Sequence, residues 1–151
     1  MASDFAQFED RWLARLNDGA KTVFHHTDLM QPGGLHFAIA NGFASSLGYD
    51  AIGFNWELLD AHCSAEAPRS AIGQLCEALS GQITNPSQPW LSKRQAEQCA
   101  ADLLSCFDAA SLTVVANRYD GLWNPISSAP TEWGFVCFDT ANIALLLIAE
   151  A

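Results

Sequence analysis

Cations are scarce in this sequence: seven Lys and Arg stand against 17 Asp and Glu, a formal net charge of −10. A surface of that sign repels phosphate backbones and anionic lipid headgroups, which excludes nucleic-acid and membrane-surface binding as main activities. It favours a basic protein partner, steered in by long-range attraction.

Long apolar runs are also missing. The most apolar stretch, Ile143 to Ala149, falls far short of the ~20 residues a membrane-spanning helix needs. Met1 to Asp10 has no basic start ahead of a short apolar run, so no signal peptide is expected. Paired cysteines are absent too. Cys63, Cys76, Cys99, Cys106 and Cys137 are odd in number and widely spaced, which suits reduced thiols and a cytoplasmic location. No two of them stand at zinc-ribbon spacing. A phosphate-binding glycine loop, a dinucleotide fingerprint, a His-Glu-x-x-His helix and a Gly-x-Ser-x-Gly elbow are all lacking, so no cofactor or metal is expected and no catalytic residue is identified.

What is present is enough to fold. The 151 residues have the size of one ordinary domain, half of them hydrophobic and 16% charged; disordered chains lack that much apolar surface. Residues 1–151 are read as a single soluble domain without internal repeats.

Ser3 to Asp18 reads as an amphipathic helix, capped by Ser3 and stopped by Gly19, with Phe5, Phe8, Trp12 and Leu16 on its apolar face. Lys21 to His26 reads as a short strand, and Thr27 to Gly34 as a loop punctuated by Pro32-Gly33-Gly34. Further helices are expected over Leu35 to Leu47, Ile52 to His62 and Ser70 to Ser80. The second of these is weakened by Gly53 and Asn55, both poor helix formers. Thr84 to Trp90 carries two prolines and reads as a loop; Ser92 and Gln95 then form a capping box for a helix buried through Ala96, Cys99, Leu103, Cys106 and Phe107. Strands are expected at Leu112 to Ala116, Gly134 to Phe138 and Ile143 to Ile148, with a turn-rich loop over Asp120 to Pro130. The last strand is apolar throughout, as a strand covered on both faces must be. Early helices and late strands predict an α+β fold: helices of the N-terminal two-thirds packed on a small, mainly antiparallel sheet built largely from the C-terminal third.

Three constellations carry potential chemistry. The first is His25-His26-Thr27-Asp28 with His36; imidazole and carboxylate together bind zinc or move protons, but strand neighbours point to opposite faces. The second is Asp60, His62 and Cys63, where nothing marks the thiol as activated. The third is the segment Arg118, Tyr119, Asp120, Trp123 and Asn124, with Trp133 just beyond. Tyr, Trp and Arg are the usual anchors of protein interfaces, and loops on rigid scaffolds commonly carry them. This third segment is the candidate binding site.

The leading expectation is therefore a non-catalytic acidic module that binds a basic protein, comparable in size and charge to immunity-protein-like inhibitors of toxins. One alternative is a small hydrolase using His with Asp28 or Asp60, with or without zinc. Another is a structural homo-oligomer, paired through a free sheet edge or the Phe5/Trp12 face.

Overall fold

The computed structural model describes residues 4–18, 21–29, 33–80, 91–119, 122–129 and 131–149. Helix α1 runs over residues 4–16, where α-helical turns at Asp4–Phe8 and Ala14–Leu16 flank a π-helical turn at Glu9–Leu13. Phe5, Phe8, Trp12 and Leu16 are all buried, as their spacing predicts. The expected cap and stop, Ser3 and Gly19, lie outside the described residues. The remaining helices are α2 (His36–Ser46), α3 (Ala71–Ser80) and α4 (Lys93–Leu104).

The strands are β1 (Lys21–Asp28), β2 (Glu57–Leu59), β3 (Thr113–Ala116), β4 (Arg118–Tyr119), β5 (Leu122–Trp123), β6 (Glu132–Phe138) and β7 (Asn142–Ala149). Five of them form one antiparallel sheet in the order β1-β7-β6-β3-β2, while β4 and β5 form a separate two-stranded ribbon. The expected α+β architecture is the observed one. Two of the strands come from earlier in the chain, and β1 forms one edge of the sheet by pairing along the whole length of β7.

Period-two alternation splits the core between the two faces of this sheet. Phe24, Val114, Trp133, Phe135, Leu146 and Ile148 meet α1, α3 and α4 on one face. Val115, Val136, Phe138, Ile143, Leu145 and Leu147 meet α2 on the other. Strand β7 is therefore apolar at alternate positions for two different reasons. Trp12 Nε1 donates to Asp102 Oδ2 at 2.7 Å, and Arg11 pairs with the same carboxylate at 3.0 Å, which pins α1 to α4.

The segment from Ile52 to His62 is not a helix. Gly53 has φ +61°, a conformation for which glycine carries no steric penalty, and residues 57–59 pair with β3 instead. Burial of Trp56 decides the outcome. Asn41 of α2 accepts from Trp56 Nε1 at 2.8 Å and from the Ile52 amide at 2.9 Å, and its own amide donates to the Gly53 carbonyl. Tertiary bonds to one asparagine thus override a local helical pattern. Two loop boundaries also move. Thr27 and Asp28 belong to β1, and Leu122 and Trp123 form a strand within the expected turn-rich segment. The Thr84 to Trp90 loop lies outside the described residues.

The capping box is fully made: Gln95 N–H donates to Ser92 Oγ at 3.1 Å, and Ser92 N–H donates to Gln95 Oε1 at 3.0 Å. Ser92→Ala is expected to cost about 1 kcal/mol in a urea melt, the usual value of a lost N-cap. At the β6–β7 turn, Asp139 accepts main-chain hydrogen bonds from Asp108, Ala141 and Asn142 at 2.7–2.9 Å. Burial alone would raise its pKa, but these donors hold it below the ordinary 3.8. A carboxyl whose folded pKa is depressed contributes stability above its unfolded pKa and loses it as pH falls through the folded value. Asp139→Asn is therefore expected to destabilise most at neutral pH. The difference from wild type should shrink in urea melts run down to about pH 2.

Candidate functional site

Strand β3 ends at Ala116, and the next residue, Asn117, is fully buried and redirects the chain out of the sheet. Its main-chain N–H donates to the Gly134 carbonyl, its side-chain oxygen accepts from Gly134 N–H at 2.8 Å, and its carbonyl accepts from Asn124 N–H at 2.8 Å. A Cβ on Gly134 would lie 3.2 Å from Leu147 and 3.7 Å from the Asn117 side chain. Glycine there leaves room for the asparagine. The chain then forms the β4–β5 ribbon, in which Arg118 stands directly opposite Trp123. Directly opposed residues share a face, so the register itself brings cation and indole together.

The guanidinium carbon of Arg118 lies 4.9 Å from the Trp123 ring centre and 5.3 Å from that of Trp133. The two indoles meet edge to face at 5.2 Å, and Trp133 stacks on Phe135 at 5.4 Å. Each such cation–π contact contributes on the order of 0.5–1 kcal/mol at a partly exposed site. Trp133 is 3% exposed, whereas Trp123 is 38% and Leu122 71% exposed. The cluster thus has a buried base and a solvent-facing tip. Among the described residues Arg118 makes no ion pair, and Trp133 Nε1 is buried without an acceptor.

Sequence reasoning missed the polar group behind this cluster. Glu132 precedes Trp133 on β6 and so points to the opposite face. It is 2% exposed. Its carboxylate accepts from Asn117 Nδ2 and Ile126 N–H at 3.2 Å each, from Ser127 N–H at 2.8 Å and from Ser127 Oγ at 2.6 Å. Burial, with the Glu132 charge as a second cause, raises the pKa of Tyr49. Glu132 ties the segment before β6 to the end of β3 and holds the base of the ribbon. A charged residue at the start of an apolar strand is the only sequence signal for it.

Of the candidate residues, Arg118, Trp123 and Trp133 converge. Asn124 joins the base through its main chain, and its side-chain amide donates to the Leu122 carbonyl at 3.1 Å. Tyr119 has its place in the ribbon, and Asp120 lies outside the described residues.

The other two constellations do not assemble into a reactive site. His25 and His26 point to opposite faces: His25 faces Tyr49, while His26 stacks on Phe5 at 4.9 Å and meets Glu9 at 2.7 Å. His36 packs edge-on against Phe37. Asp60 accepts main-chain hydrogen bonds from His62 and Cys63; the trio is a bend following β2 rather than a helix end, and Cys63 is only half-buried. Burial pushes the Cys106 and Cys137 thiols up to about 11 and 12, and Cys99 higher still, away from thiolate chemistry at neutral pH. Among the described residues no three His, Cys, Asp or Glu side chains gather as metal ligands, and no helix is long and apolar enough to cross a membrane. The Phe5/Trp12 face is core and is not open to a second copy. Comparison with protein-family models, with curated proteins and with solved structures gave no match.

Proposed function

We propose that the protein is a non-catalytic binding module that docks on a basic protein partner, in the manner of small acidic immunity-type inhibitors. The observation that carries this reading is the β4–β5 ribbon. It offers an exposed indole and an exposed leucine beyond the main sheet, and Arg118 and Trp133 hold the indole in place from below. An aromatic anchor already fixed in the free protein loses little entropy on binding. The net charge of −10 supplies attraction to a basic surface at long range. The five free thiols support a reducing compartment such as the cytoplasm.

The test is capture on the immobilised protein from lysate of its own host, washed at low and at high salt, with Trp123→Ala as the paired bait. The expected result is a basic protein retained at low salt, released as salt rises, and not retained by the variant. Retention that ignores both salt and Trp123 would overturn the proposal.

A further inference from the structure

A second surface shares no residue with the ribbon. Strand β1 is the edge of the five-stranded sheet. Its odd-numbered residues face β7, and its even-numbered main-chain groups face outward, as Thr22 shows by bonding sideways to Asn17. The edge is closed at its start. The Asn17 amide accepts from Thr22 N–H and donates to Thr22 carbonyl, standing in for a strand neighbour, and Phe24 is buried. From His26 to Asp28 the edge is exposed, and among the described residues the outward main-chain groups of His26 and Asp28 have no partner.

Beside this open stretch runs a groove of about 590 Å³ between β1 and α2. Leu35, Ala38, Ile39, Gly42 and Ser46 line it from the helix, at the spacing of one helical face. Thr27, Leu29 and Ile143 line it from the sheet. Ala38, Gly42 and Ser46 make the helical wall low, and a Cβ on Gly42 would meet nothing within 4 Å. Leu35 at the mouth is largely exposed. Among the described residues no histidine lines the groove, and Asp28 borders it.

We propose that this open edge and its groove are a docking site for an extended segment of a partner protein, alternating apolar and basic side chains, that adds to the sheet as a sixth strand. The alternation follows from the two faces of the edge. Side chains of an added strand that fall beside Thr27 enter the apolar groove. Those on the other face fall beside His26 and Asp28, where the exposed Asp28 carboxylate, which makes no ion pair among the described residues, suits a cation. Main-chain bonds supply the affinity common to all sequences, and the alternation supplies selectivity. A second copy of this chain is the poorer occupant, because it brings another −10 to the same contact.

The probe is a fluorescent six-residue peptide alternating lysine and valine, compared by anisotropy with a peptide of the same composition in two blocks. Non-specific attraction to an acidic protein holds the two equally. Strand addition is expected to favour the alternating peptide by about tenfold or more, the worth of burying one further valine side chain in the groove. Gly42→Leu fills the groove and improves helix propensity, so it folds. Asp28→Pro deletes one outward N–H, and with it the carboxylate that selects a cation, at an edge position that tolerates proline. Each is expected to remove the preference for alternation, and amide exchange at His26 and Asp28 should slow when the wild-type protein is saturated. Equal binding of both peptides, an unchanged preference in Gly42→Leu, or concentration-dependent dimerisation abolished by Asp28→Pro would each overturn the proposal. Because the ribbon is untouched by these variants, capture through Trp123 can succeed or fail independently.

Discussion

Glu132→Ala is expected to lower stability by about 3–5 kcal/mol, because it strips a shared acceptor from several buried donors at about 1–3 kcal/mol each. Four hydrogen bonds converge on that carboxylate from Asn117, Ile126 and Ser127. The estimate is less than the sum of four, since holding a charge away from water is itself costly and some donors will relax toward solvent. Glu132→Gln keeps the shape but turns one oxygen into a donor facing another donor, and should fall at about half the loss. A urea melt of both variants checks the order. A loss below about 1 kcal/mol for the alanine variant would mean that the network contributes little. The same variants should loosen the ribbon, seen as faster amide exchange at Asn124, whose N–H bonds to Asn117.

Trp123→Ala is expected to do the reverse: a large effect on binding and a small one on folding. The indole is more than one-third exposed and belongs to an outlying ribbon, so its loss should cost under about 1 kcal/mol of stability. As an interface anchor it should carry about 2 kcal/mol or more, a loss of about 30-fold in affinity for the captured partner. Arg118→Met removes the cation that packs on both indoles while keeping the length of the stem. Its expected effect is intermediate, and mostly in the dissociation rate if the arginine acts by holding Trp123 in place. Calorimetry or surface-plasmon measurements on the purified pair separate these outcomes.

Local signals were legible wherever the information was local. Ser92 and Gln95 announce the start of α4 because both halves of the cap lie within one turn. The stripe Phe5, Phe8, Trp12, Leu16 identifies the buried face of α1 without revealing its π-helical turn. The helical pattern of Ile52 to His62 misleads because the conformation there is held by Asn41, on a helix that precedes it, and by β3, which follows more than 50 residues later. The candidate site divides in the same way. Arg118, Trp123 and Trp133 stand out by residue type, and the ribbon register then unites them. Glu132 carries no local mark, because its partners are brought to it by the pairing of β3 with β6. The open end of β1 was equally hidden: strand order, and hence which edge is free, is a property of the assembled sheet.

The position of β1 also sets a timetable for synthesis. Its first residue, Lys21, pairs with Ala149, which the ribosome adds more than 120 residues later. At about 5–20 residues per second, β1 and the apolar stripe of α1 wait on the order of 6–25 s for the strand that receives them. During that interval the segment is an unpaired, partly hydrophobic ribbon of nascent chain, open to ribosome-associated chaperones. The β6–β7 hairpin, whose two strands are joined by the short Asp139 turn, can form before β1 is recruited. Folding of this protein is therefore expected to proceed from its later residues back to its earliest ones, against the direction in which it is made.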